Sequence, residues 1–166
     1  MHGSTQVATQ TNCHNGAVRA VVQRVREANV TVVGDVAGEV VGAIGRGLCV
    51  LVGVTHEDTV GHAHKLADKV WNLRIIDDEN GVMNQSVADT TREILIVSQF
   101  TLYADTSVGR RPSYIAAARP EHAEPLIAAV IDRLRALGAN VATGRFRTEM
   151  HVSLVNDGPV TVSIEV

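Results

Sequence analysis

A chain of 166 residues has room for one compact domain with a sizeable core. With 45% apolar and 20% charged residues it has an ordinary globular composition, which excludes disorder for most of its length, and no apolar run reaches the ~18 residues of a membrane span. A formal net charge of -3 excludes a basic coat over the whole surface but leaves room for a local basic site.

Residues 1–18 are polar, small and aperiodic, and read as a disordered N-terminal extension or a cloning remnant ahead of a domain spanning residues 19–166. Arg19–Val33 is rich in valine with polar residues interspersed, a strand pattern. Gly34-Asp35 turns the chain into a second strand, Val36–Ile44, and Gly45-Arg46-Gly47 turns it again. Leu48–Val54 is continuously apolar, as in a strand buried on both faces. Asp58 or Thr59 caps a helix running to about Leu73, with Ala63, Leu66, Ala67, Val70 and Trp71 at helical spacing.

Ile94–Val97 is a second wholly apolar strand, and it runs directly into polar Ser98 and Gln99. Pro120 opens a helix ending near Gly138, with Leu126, Ile127, Val130, Ile131 and Leu134 on one face. His151–Val155 and Val160–Val166 alternate as two further strands, broken by a turn at Asn156–Pro159. Aromatic residues are only 3%, so Val, Ile, Leu and Ala must fill the core. The order β-β-β-α-β-α-β-β specifies one α+β domain. Its core is a largely antiparallel, barrel-like sheet flanked by helices.

Conventional catalytic signatures are scarce. His56, His62 and His64 lie near Glu57 and Asp58, but none has the i, i+4 spacing of a zinc helix, and the pattern is that of solvent-facing helix residues. No strained Gly-x-Ser-x-Gly elbow occurs, although Ser98 or Thr101 with a distant His151 remains open as an esterase arrangement. The Gly42, Gly45 and Gly47 series opens a strand and not a helix, so it fails as a phosphate loop. Cys13 and Cys49 are too few for a disulfide framework, and Cys49 falls in an apolar run as a buried thiol. With no basic-then-apolar leader, the chain reads as cytoplasmic.

Two segments are left that packing alone does not explain: Ser98-Gln99-Phe100-Thr101-Leu102 and Asn156-Asp157-Gly158-Pro159-Val160-Thr161. Joined by Arg19–Val25, Asn80–Asn84, Gly109–Tyr114 and Ser153–Val155 in the same order, they make the chain from Arg19 to Val166 resemble the bacterial D-aminoacyl-tRNA deacylases. Val82 departs from that pattern, where a lysine is usual, and so does Arg147-Thr148-Glu149, where glycine and small residues often precede the methionine.

The resemblance implies hydrolysis of the ester of D-aminoacyl-tRNA, and of glycyl-tRNA, with the L form rejected. It implies a homodimer whose sites each join Gln99, Phe100 and Thr101 of one chain to a cis Gly158–Pro159 peptide of the other. The carbonyls of that pair would wall off an L side chain. Ser98 and Met150 would contact substrate, and Arg110 and Arg111, then Arg145 and Arg147, would hold tRNA phosphates. No metal or cofactor is implied, and neither DNA nor a membrane is a partner. Thr101 is either a nucleophile or, as a threonine without an adjacent base favours, a positioning group in a reaction assisted by the ribose 2′-OH. The competing readings are a non-catalytic tRNA-binding domain and a general esterase using Thr101.

Overall fold

A long strand with alternating burial, β1 (Arg19–Val32), organises the sheet because it pairs along both edges. One edge takes β2 (Glu39–Ile44) beside its second half and β3 (Gly47–Gly53) beside its first, both antiparallel. The chain then crosses through α1 (Val60–Trp71) and a small hairpin, β4 (Ile76–Asp77) with β5 (Met83–Gln85). It returns as β6 (Glu93–Ser98), parallel to β3. After α2 (Pro120–Ala136), β7 (Val141–Thr143) adds in parallel to β6, and β8 (Met150–Glu165) lies antiparallel along the other edge of β1. The computed structural model describes residues 17–34 and 38–166. Of the extension expected over residues 1–18, residues 1–16 lie outside the described residues, as do the turn residue Asp35 and the strand residues Val36 and Ala37, whereas Val18 is buried in the core and exchanges backbone hydrogen bonds with Val166.

The continuous apolar runs are explained by burial on both faces. Leu48, Val50 and Val52 of β3, with Ile94 and Ile96 of β6, meet Leu66 and Val70 of α1 and Leu126, Val130 and Leu134 of α2. Cys49, Leu95 and Val97 point the other way, into a second cluster with Val25, Ala28, Val30 and Ile44 inside the curl of the sheet. Burial pushes the Cys49 thiol up to about 11, so it is an inert packing group. The two helices are also tied to each other, Arg133 donating to both carboxylate oxygens of Asp68 at 2.8 and 3.2 Å. The sheet curls until the turn after β7 reaches β2, where Arg145 pairs with Glu39 at 3.1 Å, giving a nearly closed, barrel-like single domain. Among the described residues no helix is long and apolar enough to cross a membrane.

The C-terminal strands differ from expectation. The two strands expected on either side of Asn156–Pro159 are one, β8, and what reads as a hairpin turn is a bulge. Gln23 pairs with Thr161 and Val25 with Asn156, so Asp157–Val160 stand out opposite Arg24. A long bulge of this kind has the composition of a turn, and only the register with β1 tells them apart. Sequence reading also passes over β7 and the β4–β5 hairpin, whose short runs carry no clear period.

The expected cis Gly158–Pro159 peptide is not present: the described residues contain no cis peptide bond. The trans form of an X–Pro bond is lower by about 0.5–1 kcal/mol, and within one chain the bulge closes on β1 without needing the cis form. The turning is done instead by Gly158 at φ 128°, where an added Cβ would also sit 2.7 Å from Arg24 Nη2.

Arg24 is the anchor of this bulge. It is buried to 7% exposure, and its guanidinium donates to the Asp157 carbonyl at 3.0 Å, the Ile75 carbonyl at 2.8 Å and Asp77 Oδ1 at 3.1 Å. Asn156 Nδ2 closes the bulge from the other side by donating to the Arg24 and Val160 carbonyls at 3.0 and 3.1 Å. Hydrogen bonds to a charged group contribute about 1.5–3 kcal/mol each, net of the bonds to water that they replace. Arg24→Met is therefore expected to lower unfolding free energy by about 2–3 kcal/mol in denaturant titration. A loss below about 0.5 kcal/mol would mean that Asn156 alone holds the bulge.

Candidate active site

β6 ends at Ser98, and the ladder with β3 extends one step further, Gln99 N–H donating to the Val52 carbonyl at 2.7 Å. Gly53 makes that approach feasible, since a Cβ there would meet the Gln99 carbonyl oxygen at 2.9 Å. From Gln99 the chain folds into a single 3-10 turn, Phe100–Tyr103. The first N–H groups of such a turn have no acceptor within it. Leu102 and Ala104 find acceptors at Gln99 and Thr101, whereas the Phe100 and Thr101 N–H groups have none among the described residues. Gln99 Nε2 donates to Thr101 Oγ1, which fixes both side chains against each other.

Next to this turn lies a cavity of about 650 Å³. Ser98, Gln99 and Phe100 line it from β6 and the turn, and Met150 and Val152 from β8. Phe146, Arg147 and Thr148 line it from the β7–β8 connection, and Tyr114 from the segment before α2. Phe100 and Tyr114 meet edge to face, with centroids 5.2 Å apart and planes at 69°. The segment carrying Tyr114 is pinned to the end of β3: Thr55 Oγ1 donates to the Ala116 carbonyl at 2.6 Å, and Ala118 N–H to the Val54 carbonyl at 2.9 Å. His56 Nε2 lies 2.8 Å from the Ile115 carbonyl, which accepts from it.

Behind this pin sits Asp58, buried to 2% exposure, whose Oδ2 accepts the Thr55 N–H at 2.7 Å. Burial pushes its carboxyl up, opposed by that N–H and by His62 and His122. His62 Nδ1 accepts the Thr59 N–H at the start of α1. Two of the three histidines weighed as metal ligands thus have structural partners. Tyr103, the buried last residue of the turn, has its hydroxyl pushed up by burial and by Asp58, and Arg19 stacks 4.5 Å over its ring.

The structure brings together Ser98, Gln99, Phe100 and Met150 around the cavity, with Thr101 hydrogen-bonded to Gln99 just behind. Gly158 and Pro159 are exposed and line no part of this chain's cavity. Arg110 and Arg111 sit in an exposed loop closed by the reciprocal Asp105–Ser113 backbone bonds at 2.8 Å, away from the cavity wall. Hydrogen bonds from Ser107 hold the Asp105 carboxyl below the usual carboxylate range. His151 is exposed on β8, between Met150 and Val152, which face the cavity. Strand alternation therefore turns it away from Ser98 and Thr101, and the Ser/Thr–His arrangement left open by the sequence is not built.

Tyr114, Phe146 and Thr148 escape sequence reading as site residues, while Arg147, expected only as a secondary tRNA contact, lines the cavity itself. A signal was available for two of them. The chain has two Phe, two Tyr and one Trp, and both phenylalanines and one tyrosine converge on this cavity. In a chain whose core is aliphatic, aromatic residues gathered at one cavity mark a binding surface, even where one of them, Phe146, also packs against the core.

A family model described as D-Tyr-tRNA(Tyr) deacylase matches residues 21–165. The D-aminoacyl-tRNA deacylase of Brevibacillus brevis is 57% identical over 148 residues, covering 89% of this chain and 99% of that protein. The D-aminoacyl-tRNA deacylase of Streptomyces avermitilis is 56% identical over 149 residues, 89% of this chain and 99% of that one. Among solved structures, that of a c-Myc DNA Unwinding Element Binding Protein superposes with a TM-score of 0.81 at 41% identity, covering 89% of this chain and 98% of that chain. A probable eukaryotic D-amino acid tRNA deacylase shares the fold at a TM-score of 0.78 and 16% identity, covering 90% of this chain and 100% of that chain. The match over nearly the whole domain, at more than half identity to several curated proteins, places this chain in the D-Tyr-tRNA(Tyr) deacylase family.

Proposed function

We propose that this chain hydrolyses the ester of D-aminoacyl-tRNA to free D-amino acid and tRNA, and spares the L-aminoacyl form. The observation that carries the reading is the pair of N–H groups at Phe100 and Thr101, without an acceptor among the described residues, beside an aromatic-lined cavity. An aminoacyl ester is already activated, so donors fixed where the tetrahedral oxyanion develops supply a large part of the catalysis. Phe100, Tyr114 and Phe146 offer faces and edges on which a terminal base stacks. Ser98 and Met150 contact the same substrate from the cavity wall. The solved relative at 41% identity is named for binding a DNA element, which raises a binding-only alternative; it predicts affinity for nucleic acid without loss of ester.

Thr101 positions and does not attack. Its hydroxyl is engaged by Gln99, and among the described residues no imidazole or carboxylate is hydrogen-bonded to it to take a proton, so the ribose 2′-OH of the substrate is the better assistant. Arg110 and Arg111, with no ion pair among the described residues, track phosphates farther along the acceptor stem.

The functional unit is a homodimer acting in the cytoplasm. Among the described residues β8 pairs only with β1, and its inward residues Met150, Val152 and Leu154 are half-buried, as for an edge awaiting cover. The Gly158–Pro159 bulge, exposed and braced by Arg24, reaches across as a rigid backbone wall at the partner's cavity. Such a wall excludes an L side chain by clash and passes glycine, which has no side chain, so glycyl-tRNA is also cleaved.

One tRNA charged with D-tyrosine or with L-tyrosine tests the reaction directly. The D ester is expected to disappear at least about 100-fold faster, near or above the upper end of a 1–3 kcal/mol steric penalty. Equal rates leave an esterase without chiral choice, and no loss of either leaves the binding-only reading. Thr101→Ala is expected to keep kcat within about 10-fold, below the roughly 100- to 10,000-fold of an acid–base group, while a trapped acyl-Thr101 would refute the positioning role. Sedimentation at assay concentration is expected to find a dimer, and an active monomer would remove the wall across subunits.

A further inference from the structure

The β7–β8 connection carries two arginines that look alike in sequence and have different surroundings in the fold. Arg145 is committed to structure: its guanidinium pairs with both carboxylate oxygens of Glu39 at 3.1 and 3.3 Å, and its N–H donates to Met150 Sδ at 3.2 Å. Thr148 Oγ1 donates back to the Arg145 carbonyl at 2.9 Å, and Val33 N–H donates to the Glu149 carbonyl at 2.9 Å. The turn is thus fastened on both sides of Arg147. Arg147 itself has φ 58°, the one positive φ outside glycine among the described residues. A side chain bearing a Cβ disfavours that region, and such outliers concentrate at working sites. Its guanidinium has no hydrogen bond or ion pair among the described residues, is exposed, and stands on the cavity wall beside Phe146 and Thr148.

We infer that Arg147 binds the phosphodiester on the 5′ side of the terminal adenosine when the aminoacylated 3′ end fills the cavity. This rests on the D-aminoacyl-tRNA reading above. In such a substrate the carboxyl is esterified and neutral, and the α-amine carries a positive charge or none. The anion nearest the reacting ester is therefore the phosphate one ribose away. A nucleoside held among Phe100, Tyr114 and Phe146 leaves that phosphate at the rim, where a planar guanidinium bonds two of its oxygens at once. Arg147 is then a specificity residue that makes the enzyme prefer an RNA end over a free nucleoside ester.

The test compares KM for D-tyrosyl-tRNA with KM for the 3′-D-tyrosyl ester of adenosine, which lacks the phosphate. In Arg147→Ala and Arg147→Gly, the preference for the RNA substrate is expected to fall about 5- to 10-fold, through KM and not kcat, as for one exposed charge-assisted contact. The slope of log KM against log salt on the RNA substrate is expected to shrink by about 0.7, the value for one single-strand phosphate. Adding a 5′-phosphate to the nucleoside ester should restore the sensitivity, and Arg147→Lys should keep part of the preference.

Arg147→Gly relieves the backbone, so it should melt at or above the parent temperature, which separates loss of contact from loss of fold. An equal KM rise on the unphosphorylated nucleoside ester, or no change on tRNA, overturns the inference and leaves the deacylase reading standing. A parent protein that cleaves neither ester overturns both.

Discussion

The parallel pairing of β3 with β6 is the constraint on which the rest of this molecule depends. Both strands are buried on two faces, so both are continuously apolar, and their common end is where the chain first meets open space. One further ladder bond, from Gln99 to Val52, carries the register past Ser98 and fixes where the 3-10 turn begins. The free N–H groups of Phe100 and Thr101 thereby inherit the rigidity of the core. Precision at a site comes from rigid elements beneath it, and this site begins one residue beyond a strand buried on both faces.

Around that turn, the remaining walls arrive from distant parts of the sequence. Tyr114 comes on a segment fastened to the end of β3 by Thr55 and His56, and Asp58 in turn fastens Thr55. Phe146 and Arg147 come on a turn fastened by Arg145, Thr148 and Glu149. Each wall is irregular backbone held by side-chain or main-chain bonds to a strand.

β8 carries the edge on which the proposed assembly rests. It runs the length of β1, yet among the described residues its other edge is unpaired and its inward face only partly covered. Its bulge at Asp157–Val160 is stiff because Arg24 and Asn156 bond its carbonyls and its neighbours from beneath. In the proposed dimer this rigid, exposed loop of backbone on an uncovered edge is the part that would complete a pocket in another copy.

Burial periodicity legible in the sequence determined the elements of the core: the wholly apolar runs at Leu48–Val54 and Ile94–Val97, the two helices with their spaced apolar faces, and the valine-rich first strand. Those patterns arise because water is excluded from particular faces, and each residue reports its own face locally. The Ser98–Thr101 and Gly158–Pro159 motifs were also legible, as composition that packing does not require. Only the tertiary structure decided that Asn156–Pro159 is a trans bulge and not a hairpin, that Arg145 is structural while Arg147 faces the cavity, and that His151 turns away from Thr101. Bulge, turn and strand share the same residue types. What separates them is register and contact with residues far along the chain, such as Arg24 for Gly158 and Glu39 for Arg145, and that pairing exists only once the sheet has closed.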